Sequence, residues 1–103
     1  MNNHQKAFET MNEAIKILAT SSDELQYRLS VACRDFIGKL YKNDFSVALY
    51  NNFNLLSKKL HLNNDDFQQY FLDIDENEAS RLALSIFEFH LQVCEEYFSP
   101  GSY

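Results

Sequence analysis

Residues 73–98 read DIDENEASRLALSIFEFHLQVCEEYF, and the fold follows from how this stretch repeats. After the acidic leader Asp73-Ile74-Asp75-Glu76-Asn77-Glu78, apolar residues recur at steps of three and four. They are Ala79, Leu82, Ala83, Ile86, Phe87, His90, Leu91, Cys94, Tyr97 and Phe98. That spacing marks one broad face of an α-helix. Arg81, Ser85, Glu88, Gln92, Glu95 and Glu96 take the opposite edge. A helix this long and this apolar on one side is a wall for others to pack on. Asp75 followed three residues later by Glu78 resembles a capping box that starts it.

Working back toward the N-terminus, the same period recurs three times. Phe8, Met11, Ile15 and Leu18 form a narrow seam in a first helix over about 3–20, flanked by Ala7 and Ala14. That seam is a candidate for docking in a bundle or for self-association. A joint at 20–24 follows, in which Ser21 and Glu24 have capping-box spacing. A second helix is expected over 25–42, with Leu25, Leu29, Ala32, Cys33, Phe36, Ile37, Leu40 and Tyr41 inward. Gly38 inside it costs about 1 kcal/mol relative to Ala, which a close helix crossing would justify. Asn43 or Asp44 is placed to cap a third helix over 45–62, with Phe45, Leu49, Phe53, Leu56 and Leu60 inward and Ala48 and Leu55 beside them. Asn51, Asn52 and Asn54 favour turns, so a kink or split is expected there. Lys58, Lys59 and His61 close this helix, where cations suit its carbonyl end. Asn63-Asn64-Asp65-Asp66 then caps a short helix with Phe67, Tyr70 and Phe71 on its face. Residues 99–103, with Pro100 and Gly101, read as a tail.

The expectation is an all-α fold: one domain over 1–103, an irregular bundle of four long helices plus one short helix. The whole chain has two Gly and one Pro, too few turn residues for a fold of many short strands. Nine Phe and six Tyr are more rings than one small core hides, so some are expected at the surface. No apolar leader or membrane-length run is visible, and two widely spaced cysteines read as reduced thiols; the expected location is cytoplasmic.

Charge is unevenly distributed. Residues 1–62 carry eight Lys/Arg and six Asp/Glu, a net +2, whereas residues 63–103 carry Arg81 and nine Asp/Glu, a net −8. Such a field repels nucleic-acid backbones and attracts basic proteins.

Asp73, Asp75 and Asn77 match the first ligand positions of a calcium loop, but Glu78 stands where the turn glycine belongs and Leu84 where the bidentate acid belongs. His90 and Cys94 share a helix face, with Cys33 the only other evident ligand, which is short of a zinc site. No nucleophile elbow or phosphate loop accompanies Cys33 and His90. A helix-turn-helix reading of 45–72 fails because its recognition helix would open on Asp65-Asp66. No catalytic residue, metal or cofactor is expected, and the chain is read as not an enzyme.

Six acids within fourteen residues exceed what helix dipoles require. The expected partner-binding surface is Asp65, Asp66, Phe67, Tyr70, Phe71, Asp73, Asp75, Glu76 and Glu78, with the rings as anchors. Size, class and charge are those of small acidic inhibitors or adaptors of the immunity, antitoxin or phage anti-defence type. Such a protein would occupy a basic, even nucleic-acid-binding, surface of a partner without itself touching nucleic acid or membrane. The alternative is a helical chaperone or assembly subunit, a homodimer through Phe8, Met11, Ile15 and Leu18.

Overall fold

The structure, a computed structural model, describes residues 4–98. The expected tail at 99–103 lies outside them. Five α-helices follow in order: α1 His4–Thr20, α2 Leu25–Asp35, α3 Val47–Lys59, α4 Phe67–Asp73 and α5 Glu76–Phe98. Single 3-10 turns at Ile37–Lys39 and Lys42–Asp44 link α2 to α3. No strand occurs among the described residues, so the all-α class holds.

The long helix is the wall of the bundle. Its 23 residues rise about 35 Å at ~1.5 Å each. Against it pack α1, α2 and α3. Its start is half of the expected capping box: Asp75 Oδ1 accepts from the backbone N–H of Glu78 at 2.8 Å, while the Glu78 carboxylate accepts from Arg81. Its inner face is not the expected one. Ala79, Leu82, Ile86, Phe89 and Val93 are buried, while Leu84, Phe87, Leu91 and Phe98 are exposed. The apolar surface of α5 extends over more than half its circumference, and its neighbours cover only one side of that. Phe89 and Val93 therefore replace Phe87 and Leu91 in the core. Asp73 belongs to the end of α4 and is not part of the leader of α5.

The expected self-association seam of α1 is consumed inside the chain. Met11 is fully buried and Leu18 nearly so, alongside Ala7 and Ala14. Phe8 stacks on Tyr97 of α5, ring centroids 4.2 Å apart and nearly parallel. Ile15 is packed against the same core. Met11 and Leu18 are thus closed to a second copy, whereas Phe8 and Ile15 are only partly buried. At the α1–α2 joint no capping box forms. Ser21 Oγ instead accepts from the N–H of Asp23, and Glu24 makes no side-chain cap. The Arg28 guanidinium donates to the carbonyls of Leu18 and Asp23, tying off the end of α1.

Helix α2 stops at Asp35, well short of the expected residue 42. The chain turns at Phe36 and tightens into the first 3-10 turn. A Cβ on Gly38 would lie 2.7 Å from the carbonyl oxygen of Cys33, so the close approach that glycine permits is to its own preceding turn. Ile37 and Leu40 still reach the core. The second 3-10 turn is fixed by Asp44, whose carboxylate accepts from the N–H of Tyr41 at 2.7 Å.

Ser46, not Asn43 or Asp44, caps α3; its hydroxyl accepts from Leu49 N–H and donates to Glu96 of α5 at 2.6 Å. Phe45 precedes the helix and packs on Phe53 and Phe89. The asparagines do not break α3. Asn51, Asn52 and Asn54 face outward, and Asn52 donates to Gln92 of α5 at 3.1 Å. Leu55 is exposed, off the inner face formed by Leu49, Phe53 and Leu56. The helix ends at Lys59 with Leu60 as its C-cap, and His61 takes a positive φ of 57°, a left-handed stop filled here without glycine.

Candidate functional site

Helix α4 rests on α2, and its register decides which of the expected anchors face outward. Phe71 is fully buried and is a core residue, not an anchor. Phe67 and Tyr70 are half-buried against the core. Tyr70 also stacks on His61, centroids 3.8 Å apart at 10°, which closes the turn between α3 and α4. Burial pushes the Tyr70 phenol above its ordinary value, and the Glu78 carboxylate adds to this. The side chain of Gln26 in α2 donates to the Ile74 carbonyl at 3.2 Å, anchoring the joint between α4 and α5.

The acids behave differently. Asp65, Asp66, Asp73, Asp75 and Glu76 are all exposed, and Glu78 is half-buried. They flank a helix of seven residues, which spans only about 10 Å. Two have structural duties: Asp75 caps α5, and Glu78 accepts from Arg81 at 3.1 Å. Asp73 accepts from Gln69 at 3.0 Å. Among the described residues, no lysine or arginine forms an ion pair with Asp65, Asp66, Asp73, Asp75 or Glu76. Leu72, next to Asp73 in sequence, is an apolar side chain of α4 that is half exposed. Sequence reasoning passed over it, although it falls about 100° beyond Phe71 on a helical wheel and so off the Phe67–Tyr70–Phe71 face.

The other candidate ligands stay apart or unremarkable. Among the described residues no group of three or more His, Cys, Asp or Glu is arranged to hold a metal ion. Asp73 lies in a helix and Asp75 at a cap, so no calcium loop is formed. Cys94 Sγ lies 3.4 Å from His90 Nε2 at the edge of α5, whereas Cys33 is buried in α2. Burial pushes both thiols up and the His90 imidazole down, which disfavours a thiolate nucleophile. An open cleft of about 530 Å³ beside the start of α3 is lined by Lys42, Asn43, Phe45, Ser46, Val47, Tyr50 and Asn51, with no acid, histidine or cysteine. No helix among the described residues is long and apolar enough to cross a membrane.

No protein-family model matches this chain, and neither a curated protein nor a solved structure shows significant similarity to it.

Proposed function

We propose that the chain is a small acidic protein-binding inhibitor or adaptor, of the immunity, antitoxin or anti-defence kind, which occupies a basic surface of a partner protein. The observation that carries this reading is the set of exposed carboxylates around α4, without a cation partner among the described residues. Asp65, Asp66, Asp73 and Glu76 steer a basic partner inward, and Leu72, with the open parts of Phe67 and Tyr70, takes the anchoring part that the buried Phe71 cannot. A surface built to receive nucleic acid fits this charge best, because carboxylates then stand where phosphates would. In this reading the protein works in the cytoplasm with reduced thiols, performs no catalysis and needs no cofactor.

Affinity capture from the native host tests the reading. The wild-type chain is compared with one neutralised at Asp65→Asn, Asp66→Asn, Asp73→Asn and Glu76→Gln. A basic protein retained by the wild type should be lost from the variant and should associate at least about tenfold more slowly with it at low salt. Asp75 and Glu78 are left intact so that the cap and the ion pair of α5 survive. A partner held equally well by both chains would end the steering role.

A further inference from the structure

We infer that the outer face of α5 is an interface between two copies of this chain, packed antiparallel about a two-fold axis. Ser80, Leu84, Phe87, Leu91, Cys94 and Phe98 follow one another alternately four and three residues apart, the spacing of a helix-pair seam. Leu84, Phe87, Leu91 and Phe98 remain 56%, 44%, 50% and 66% exposed. Leu91 lies half a turn of the wheel from Leu82, so this seam stands opposite the face already packed in the core. Single exposed leucines are ordinary, but a continuous row of large apolar side chains along a long helix marks a docking surface.

Two features of the seam point to its own copy as the occupant. The first is size. In the antiparallel register Ser80 meets Phe98 of the second copy, Leu84 meets Cys94, and Phe87 meets Leu91. Large and small side chains thus alternate across the outer layers, as a filled helix interface requires. A parallel pair would set Phe98 against Phe98 and Ser80 against Ser80, overfilling one end and leaving a void at the other.

The second feature is charge. Arg81 and Glu95 lie on the same flank of the seam, at its opposite ends. The antiparallel register brings Arg81 of each copy to Glu95 of the other, twice, as a self-complementary interface demands. Arg81 is already held along this flank by Glu78. On the other flank Ala83 meets Tyr97. The one like-charge contact is Glu88 against Glu88 at the axis, where Lys59 lines the same cleft as Glu88.

Sedimentation equilibrium and disulfide trapping test the interface on the full chain. The wild type should be a dimer. Leu91→Glu, at an exposed position, should raise the dissociation constant at least a hundredfold while the helical circular dichroism stays unchanged. Arg81→Glu should weaken the dimer, and Arg81→Glu with Glu95→Arg should restore it. Leu84→Cys should give, on mild oxidation, a dimer linked to Cys94 of the second copy. Ten residues along one helix, about 15 Å, are too far for that bridge to close within a chain. A strict monomer at high concentration overturns the inference, including the case in which a basic partner helix covers the stripe. So does a dimer indifferent to Leu91→Glu, or a wild-type dimer bridged Cys94 to Cys94. None of these outcomes bears on the acidic surface of α4.

Discussion

Lys6 Nζ stands 3.3 Å from Asp44 Oδ2, joining the first turn of α1 to the linker before α3. The two ends differ in exposure: the Asp44 side chain is 5% exposed and that of Lys6 49%. The same carboxylate holds the N–H of Tyr41, and the lysine also lies over the Tyr41 ring, 4.9 Å from its centre. One buried acid therefore fixes both a 3-10 turn and a contact between distant parts of the chain. Asp44→Ala should cost about 2 kcal/mol, since it leaves a backbone donor without its acceptor and removes the ion pair. Lys6→Ala should cost less, because water reaches the lysine end. Urea denaturation of both variants checks the order; equal losses would mean that the turn bond contributes nothing beyond the ion pair.

Gly38→Ala should destabilise although the residue is exposed and has an ordinary φ. The added methyl meets the Cys33 carbonyl, which is backbone and cannot swing aside. A loss of about 1–3 kcal/mol is expected, the usual range for overpacking. Thermal unfolding decides it, and a gain in stability would show that the turn relaxes freely.

Two neighbours in α4 should respond in opposite ways. Phe71→Ala removes a fully buried ring and should cost about 3–5 kcal/mol. Leu72→Ala should change stability by less than about 0.5 kcal/mol and weaken capture of the proposed basic partner. Parallel melting curves and pull-downs separate the two roles; a partner lost through Phe71 with no loss of stability would reverse the assignment.

His90 supplies a pH signature. Burial depresses its proton affinity below the ordinary histidine value of 6.5. The unfolded chain then binds more protons than the folded one just below that value, so stability falls as pH drops through about 6.5 and levels off below the folded pKa. His90→Gln should flatten this part of the profile relative to wild type, as read from denaturation midpoints between about pH 7.5 and 5. Identical profiles would mean that the imidazole is as well solvated folded as unfolded.

Helix number, order and polarity were legible because they depend on local period and on capping residues such as Asp75. Where long-range contacts decide, the sequence was silent. Past the end of α2, Lys6 of α1 reaches Asp44 in the second 3-10 turn, a contact that no periodicity encodes. Asn52 lies in the helix and donates its amide to Gln92, forty residues away. On α5 the stripe is wider than one interface, and the positions of α1, α2 and α3 select Phe89 and Val93 over Phe87 and Leu91. For the candidate site, the acids could be read because carboxylates in joints stay in water. The anchors could not, because the rotation of α4 is set by packing on α2 and by the His61–Tyr70 stack.

That stack and the burial of Phe71 hold α4 in place without help from Asp65, Asp66 or Glu76, whose carboxylates carry no structural hydrogen bond among the described residues. The supporting contacts and the displayed charges are thus separate sets of positions. Substitutions at the outer set should cost folding little, so the proposed partner surface can change one residue at a time. The proposed inhibitor would then have room to follow a target that changes its own basic surface.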